Sequence, residues 1–519
     1  MTNDAAEPIT GGSSQPGSNP NGLSQKELES YLWGAATLLR GLIDASDYKQ
    51  YVFPLLFFKR LSDVWDEDHR QALADTDDDG YATATANDRF VIPAGAHWDD
   101  ARAASRDVGR ALLGAYQAIE VANPERLQGV FGNAAWTDKA QMPDETLKNL
   151  IEHFSEHTLS LENVPEDELG NGYEYLIKQF ADDSGHTAQE FYTNHTLVHL
   201  MAQMLEPQPG ETIYDPTCGT GGMLISCLAE VRRTGGDTRA MGLYGQELIN
   251  ITAAIARMNL VLHGVADFQI RSGNTLHEPA LVEGDRLKTF DVVLANPPYS
   301  IKAWNRDAWQ SDPWGRNFLG TPPQGRADYA FFQHILKSLD PKTGRCAILF
   351  PHGVLFRKDE GELRRALVET DMVECVLGLG PSLFYNSPME ACVMICRTQK
   401  PEATKGRTLF VDALHDVARQ GTLSFLRPEH QRRILDSYRA FVDEPEFSAV
   451  AATEQILANG GDLTVHHYVT RATIVPTGST ESLAEKWEHL DADGRAFWLA
   501  MDELVDQLDG LGTGENTDG

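Results

Sequence analysis

The stretch Ile213–Leu224, IYDPTCGTGGML, decides the fold. A short β-rich run ends on the carboxylate of Asp215. Gly219, Gly221 and Gly222 follow, with Thr217 and Thr220 among them, and then an apolar helical segment begins. Strand, glycine turn and helix in that order open a doubly wound α/β sheet; the glycines let the backbone approach a ligand whose polar end the carboxylate can hold. The spacing is not G-x-G-x-x-G and no P-loop lysine follows, so a phosphate cradle is disfavoured. Taken alone, the glycines also fit a plain tight turn.

Working outward, ETIYD, MGLYGQE, DFQIRSG, FDVVLAN, RCAILFP, VECVLGL and ACVMICR alternate with helical stretches from about Ile213, which predicts a largely parallel sheet. The second run places Glu247 at its carboxyl end, where an acid commonly takes ribose hydroxyls. The third leads to SGNTL, whose Asn274 would stand beside Glu247 and could hydrogen-bond an adenine ring; an Asn in a turn is also an ordinary turn former. The fourth delivers Asn296-Pro297-Pro298-Tyr299 to the same edge.

That tetrad suits attack by an exocyclic amine. Such an amine needs its lone pair freed from ring conjugation, which acceptors aimed at its two hydrogens promote. The Asn296 side-chain oxygen and the Pro297 carbonyl are the candidate acceptors, and the prolines hold both in one direction. Tyr299 offers a face for a planar base swung out of a duplex.

At 519 residues and 42% hydrophobic the chain supports two or three domains. Its net charge of -32 opposes a large free-standing phosphate-binding surface, so unaided binding to duplex DNA is not expected. Lys302, Arg306, Arg316, Arg326, Arg357 and Lys358 flank the strand ends and are candidate phosphate contacts or solvated surface charges. Six cysteines without a CxxC pair read as reduced thiols, and no apolar run reaches the roughly 20 residues of a membrane span; a soluble cytoplasmic protein is expected.

The division predicted is a disordered tail over 1–22, a helical N-terminal domain over 23–180, the α/β domain over 181–415, a helical region over 416–510 and a second tail over 511–519. Strands are expected to vanish after about Ala413. DTDDDGYATATA (75–86) lacks the final Glu of a calcium loop and reads as a solvated loop. His195 and His199 stand one helical turn apart without a third ligand, so no metal is expected. An apolar stripe from Trp487 to Leu508 packs either on a partner or within the chain.

DPTCGTGG, GQE, GNTL and NPPY, in this order, resemble the motifs of S-adenosylmethionine-dependent N6-adenine DNA methyltransferases. LWGAATLLRGLIDASDYKQYVFPLLFFKRLSD, GHTAQEFYTNHTLVHLM, LFYNSPMEACVMIC and ANGGDLTVHHYV resemble, more narrowly, the methylation subunit of type I restriction-modification systems. The resemblance spans roughly Leu23 to Val469 and implies a Rossmann-like methyltransferase domain that uses S-adenosylmethionine and acts on adenine N6 in double-stranded DNA. It further implies a separate DNA-specificity subunit, commonly one per two copies of this chain, and a restriction or translocase subunit. In the family QEFYT, here Gln189, Glu190, Phe191, Tyr192 and Thr193, lies against the cofactor's methionine portion; Asn194-His195 departs from the usual Pro-Arg, and Asn274 stands where an aspartate is common.

The acidic chain agrees with an external reader. Only about thirty residues separate Tyr299 from the helix DYAFFQHILKSLD, too few for a target-recognition domain. Two alternatives stay open: methyl transfer to a protein glutamine amide or an RNA base amine, which needs the same acceptor pair, and a non-catalytic scaffold with this fold.

Overall fold

The computed structural model describes residues 23–183, 194–265, 267–381, 383, 390–420 and 423–470. Both expected tails, Gln189–Thr193 and the Trp487–Leu508 stripe lie outside the described residues.

Among the described residues, seven α-helices come first: α1 (Gln25–Leu39), α2 (Lys49–Thr76), α3 (Asp79–Ala86), α4 (Trp98–Arg102), α5 (Val108–Ala122), α6 (Asp144–Phe154) and α7 (Glu166–Asp183). Ser24 starts α1 through a capping box, its hydroxyl accepting the Glu27 N–H while the Glu27 carboxylate accepts the Ser24 N–H at 2.9 Å. From Tyr51 to Val64 α2 is buried all round, and Lys59, Arg60, Asp63 and, one turn on, Glu67 are buried with it. They survive there because most of their polar atoms are paired; among the described residues the Arg60 Nη2 has no partner. Asp63 accepts from Lys59 and from the Leu159 N–H, Arg60 donates to the carbonyls of Leu159, Ser160 and Val164 at 2.6–2.8 Å, and Glu67 accepts the Leu161 and Glu162 N–H groups. These bonds pin the segment that leads into α7.

The reading of 75–86 as a loop is corrected. α2 runs to Thr76, Asp77 turns the chain at φ +53°, and Asp78 caps α3 by accepting the Tyr81 N–H at 3.1 Å. The aspartates are helix caps, and the Ala-rich stretch behind them has good helix propensity.

The α/β part contains α8 (His195–Leu205), β1 (Thr212–Asp215), α9 (Gly222–Arg233), β2 (Gly242–Glu247), α10 (Asn250–Leu262) and β3 (Phe268–Ser272). A small hairpin, β4 (Val282–Glu283) and β5 (Arg286–Leu287), precedes β6 (Val292–Ala295), α11 (Arg306–Trp309) and α12 (Asp328–Lys337). Then come β7 (Arg345–Pro351), α13 (Gly361–Glu369), β8 (Val373–Leu379), β9 (Ala391–Arg397) and β10 (Arg407–Ala413). A second hairpin, β11 (Ala418–Gln420) and β12 (Leu423–Phe425), is followed by α14 (Pro428–Ala440), β13 (Ser448–Ala452) and α15 (Thr453–Ala458).

The central sheet has nine strands in the order β13-β10-β8-β9-β7-β6-β1-β2-β3. All seven strands expected from the sequence are in it. The run β7-β6-β1-β2-β3 is parallel, as is β8 with β10, while β9 is antiparallel to β7 and β8 and β13 to β10. β6, β7 and β8 are buried along their whole length because apolar clusters cover both faces of the sheet. The expectation that strands end near Ala413 is corrected by β13, which completes one edge. Its sequence, SAVAA, is mostly small residues and carries little strand signal; pairing with β10 makes it a strand. α10 also joins the two parts, since Ala254, Ile255, Met258 and Leu262 belong to the core of the N-terminal helices.

Candidate active site

The chain leaves β1 toward β2 and β3, then returns to place β6 on the other side of β1. The strand order therefore reverses between β1 and β6, which opens a crevice at their carboxyl ends. Asp215 ends β1 and Asn296 immediately follows β6, so both stand at that crevice. Gly219 and Gly221 take φ of +53° and +85°, and a Cβ on Gly219 or Gly222 would meet nothing within 4 Å, so open space lies beside this backbone. The turn is held from behind. Glu247, at the end of β2, accepts the Gly219 N–H at 3.1 Å and the Ile249 N–H at 2.9 Å, and Asn259 of α10 donates to the Thr220 carbonyl at 3.0 Å. Thr217 donates its N–H to Asp215 at 2.9 Å.

In the tetrad, Pro297 is buried and Asn296 and Tyr299 are half-buried. The Tyr299 hydroxyl donates to the Asn296 side-chain oxygen, orienting the amide. Ser300 then adopts φ +54°, an unfavourable conformation for a residue with a side chain, and its N–H donates to Asp328 at 2.8 Å. The other Asp328 oxygen accepts from Arg357 at 2.6 Å, and Arg357 also faces Glu360 at 3.5 Å. Both carboxylates are fully buried, and burial pushes Glu360 up to about 7. This cluster ties the turn after β6 to the segment after β7, where Phe356 is exposed.

A cleft connects Asp215, Thr217, Gly219, Thr220, Gly222 and Asn296. Burial pushes Asp215 up to about 7, against the pull of the Thr217 N–H and with a further push from the Glu247 charge. Four further lining residues come from α7 and α8: Glu174, Ile177, His195 and Val198. Burial also pushes Glu174 up to about 7, and it lowers His195, with Lys178 adding to the effect. The sequence reading had not singled out Glu174, and it weighed His195 as half of a metal pair and as part of a departure from the family's usual Pro-Arg. His195 instead stands 3.9 Å from the Glu174 carboxylate, whereas His199 contacts Gln203 at 3.2 Å.

The N-6 DNA methylase family matches residues 164–475, and the HsdM N-terminal domain matches residues 28–154. The chain belongs to the N-6 DNA methylase family. The methylase is 30% identical over 406 residues to the type I restriction enzyme HindI methylase subunit of Haemophilus influenzae, covering 74% of this chain and 87% of that one. It is 28% identical over 483 residues to the MjaIX methylase subunit of Methanocaldococcus jannaschii, covering 85% and 84%. The crystal structure of a type I restriction-modification methyltransferase subunit from Streptococcus thermophilus superposes with a TM-score of 0.75 at 28% identity, covering 86% of this chain and all of that one. The chain is thus an adenine-specific DNA methyltransferase, the modification subunit of a type I system.

Other expected positions fall differently. Asn274 is exposed, and its side-chain oxygen accepts the Leu276 and His277 N–H groups at 3.0 and 3.1 Å, the ordinary turn-forming bond. Arg316 is corrected as a phosphate contact. It is 1% exposed, paired with Asp312 at 2.6 Å, and lies against the rings of Trp309 and Trp314 while donating to the carbonyls of Thr275 and Leu276. Arg326 pairs with Asp359, Arg357 with Asp328, and Arg306 donates to the Pro322 carbonyl; Lys302 and Lys358 are exposed. No helix among the described residues is long and apolar enough to cross a membrane.

Proposed function

We propose that this methylase takes its methyl group from S-adenosylmethionine and works with two copies around one DNA-specificity subunit, to which a restriction subunit can join. The observation that carries the cofactor reading is the cleft itself. It brings the Asn296 amide beside the Asp215 carboxylate and an open glycine turn, a donor set that fits a cationic nucleoside ligand. Bound there, the cofactor supplies an electrophilic methyl group.

In this reading Glu247, whose carboxylate also accepts the Gly219 and Ile249 N–H groups, takes the ribose hydroxyls, and Asp215 with Thr217, Gly219, Thr220, Gly221 and Gly222 holds the methionine end. Asn274 can offer only its amide N–H groups to an adenine ring while its oxygen serves the turn. Gln189–Thr193 is assigned to the methionine portion by resemblance. The Asn296 oxygen and the Pro297 carbonyl accept the two N6 hydrogens of an extruded adenine, which turns the nitrogen lone pair out of conjugation as it attacks. An amide oxygen has two acceptor positions, so the Tyr299 hydroxyl and a substrate hydrogen can share it. Pro298 keeps the turn rigid, and the Tyr299 ring supports the base by stacking. The surplus proton leaves N6 to solvent after transfer.

Sequencing that detects N6-methyladenine, applied to DNA from a host expressing this chain with and without its specificity subunit, tests the reading. Methylation in a defined motif only when both are present is expected. Unmodified DNA when both are present would sink it. A second expectation is that S-adenosylmethionine affinity falls at least about tenfold as pH drops one unit below 7, because Asp215 and Glu174, both pushed up to about 7 by burial in the same cleft, take up protons there. The sign follows from charge: the ionised carboxylate favours a cationic ligand, and protonation removes that attraction. Calorimetric titrations across this range check it, and a flat profile contradicts it.

A further inference from the structure

We propose that Glu174, on a helix that precedes the glycine turn by a long stretch of sequence, is a direct contact for the α-ammonium group of the cofactor's methionine end. The inference rests on the reading of the cleft as a S-adenosylmethionine site.

Three observations carry it. First, Glu174 lines the same cleft as Asp215 and Asn296, and its side chain is 23% exposed, so it is neither locked in the core nor out in solvent. Second, among the described residues lining that cleft there is no Lys or Arg; two carboxylates face it, and His195, 3.9 Å from Glu174, is the one group that can become cationic. His195 is held toward its neutral form by burial and by Lys178, so it is a poor permanent counter-charge. Among the described residues the Glu174 carboxylate accepts no hydrogen bond and has only His195, at 3.9 Å, as an ion-pair partner, and a half-buried carboxylate so weakly paired is better satisfied by a bound cation. Third, the cleft reaches the β1 and β6 side of the glycine turn, whereas Glu247 is not among its lining residues. It is therefore the half of the site that receives the amino-acid end of the ligand rather than the ribose. A primary ammonium there has three N–H donors, enough to engage Glu174 and Asp215 together.

The chain thereby recruits α7 to cofactor binding. Because α7 also packs against α1 and α10, the N-terminal helices and the cofactor share one supporting helix.

The test compares the intact protein with its Glu174→Gln variant by calorimetry, using S-adenosylmethionine, S-adenosylhomocysteine and 5′-methylthioadenosine, which keeps the nucleoside but lacks the amino-acid end. Thermal unfolding without ligand controls for folding. The expected result is a loss of about 10- to 100-fold for the first two ligands, as for removal of a charge-assisted bond, with 5′-methylthioadenosine unchanged. Unchanged affinity for all three ligands overturns the proposal while leaving the cofactor reading intact. An equal loss for all three also overturns it, since a general distortion of the site would explain that pattern. Failure of the wild-type protein to bind S-adenosylmethionine removes the cofactor reading and the proposal together.

Discussion

Asn296→Ala is expected to lower the single-turnover methylation rate at least about 100-fold, with S-adenosylmethionine affinity held within a few-fold. The substitution removes the acceptor that polarises the target amine, and this interaction strengthens only as the nitrogen begins to attack, so the loss belongs in the rate rather than in binding. It also strips the Tyr299 hydroxyl of its acceptor, loosening the aromatic ring in the same step. Asn296→Asp keeps an oxygen at the position and should recover part of the rate. Quenched-flow methylation of a duplex substrate, with calorimetry on the same preparations, separates the two quantities. A rate for Asn296→Ala within tenfold of wild type would remove Asn296 from the chemistry.

Asp328→Ala is expected to cost about 3–5 kcal/mol of folding stability, measured by urea denaturation, because it leaves the Arg357 cation without its closest partner in a largely buried setting. Glu360 compensates only in part: it lies farther from Arg357, at 3.5 Å, and burial still raises it, although loss of the Asp328 charge favours its ionised form. The same carboxylate holds the Ser300 N–H, so the left-handed turn directly after Tyr299 loses its anchor. Methylation should therefore fall further than the loss of folded protein explains, when assayed well below the unfolding midpoint. An unchanged urea midpoint would show that the cluster contributes nothing to the fold.

What the sequence by itself determined was local. Seven β-rich runs, the glycine turn after β1, the acid at the end of β2 and the rigid tetrad after β6 were all legible. In each, side-chain chemistry acts within a few residues: periodic burial, positive φ at glycine, the fixed φ of proline. The tertiary structure decided which distant pieces meet. The reversal between β1 and β6 sets Asp215 beside Asn296, and α7 swings Glu174 into that crevice from the N-terminal side. β13 exists because β10 offers it an edge, though SAVAA has little strand propensity. Arg316 looked like any surface cation, yet Asp312, two tryptophans and a pair of carbonyls enclose it. The physical reason is shared: burial and pairing are properties of contacts between segments far apart in the chain, and a residue's own neighbours in sequence carry no record of them.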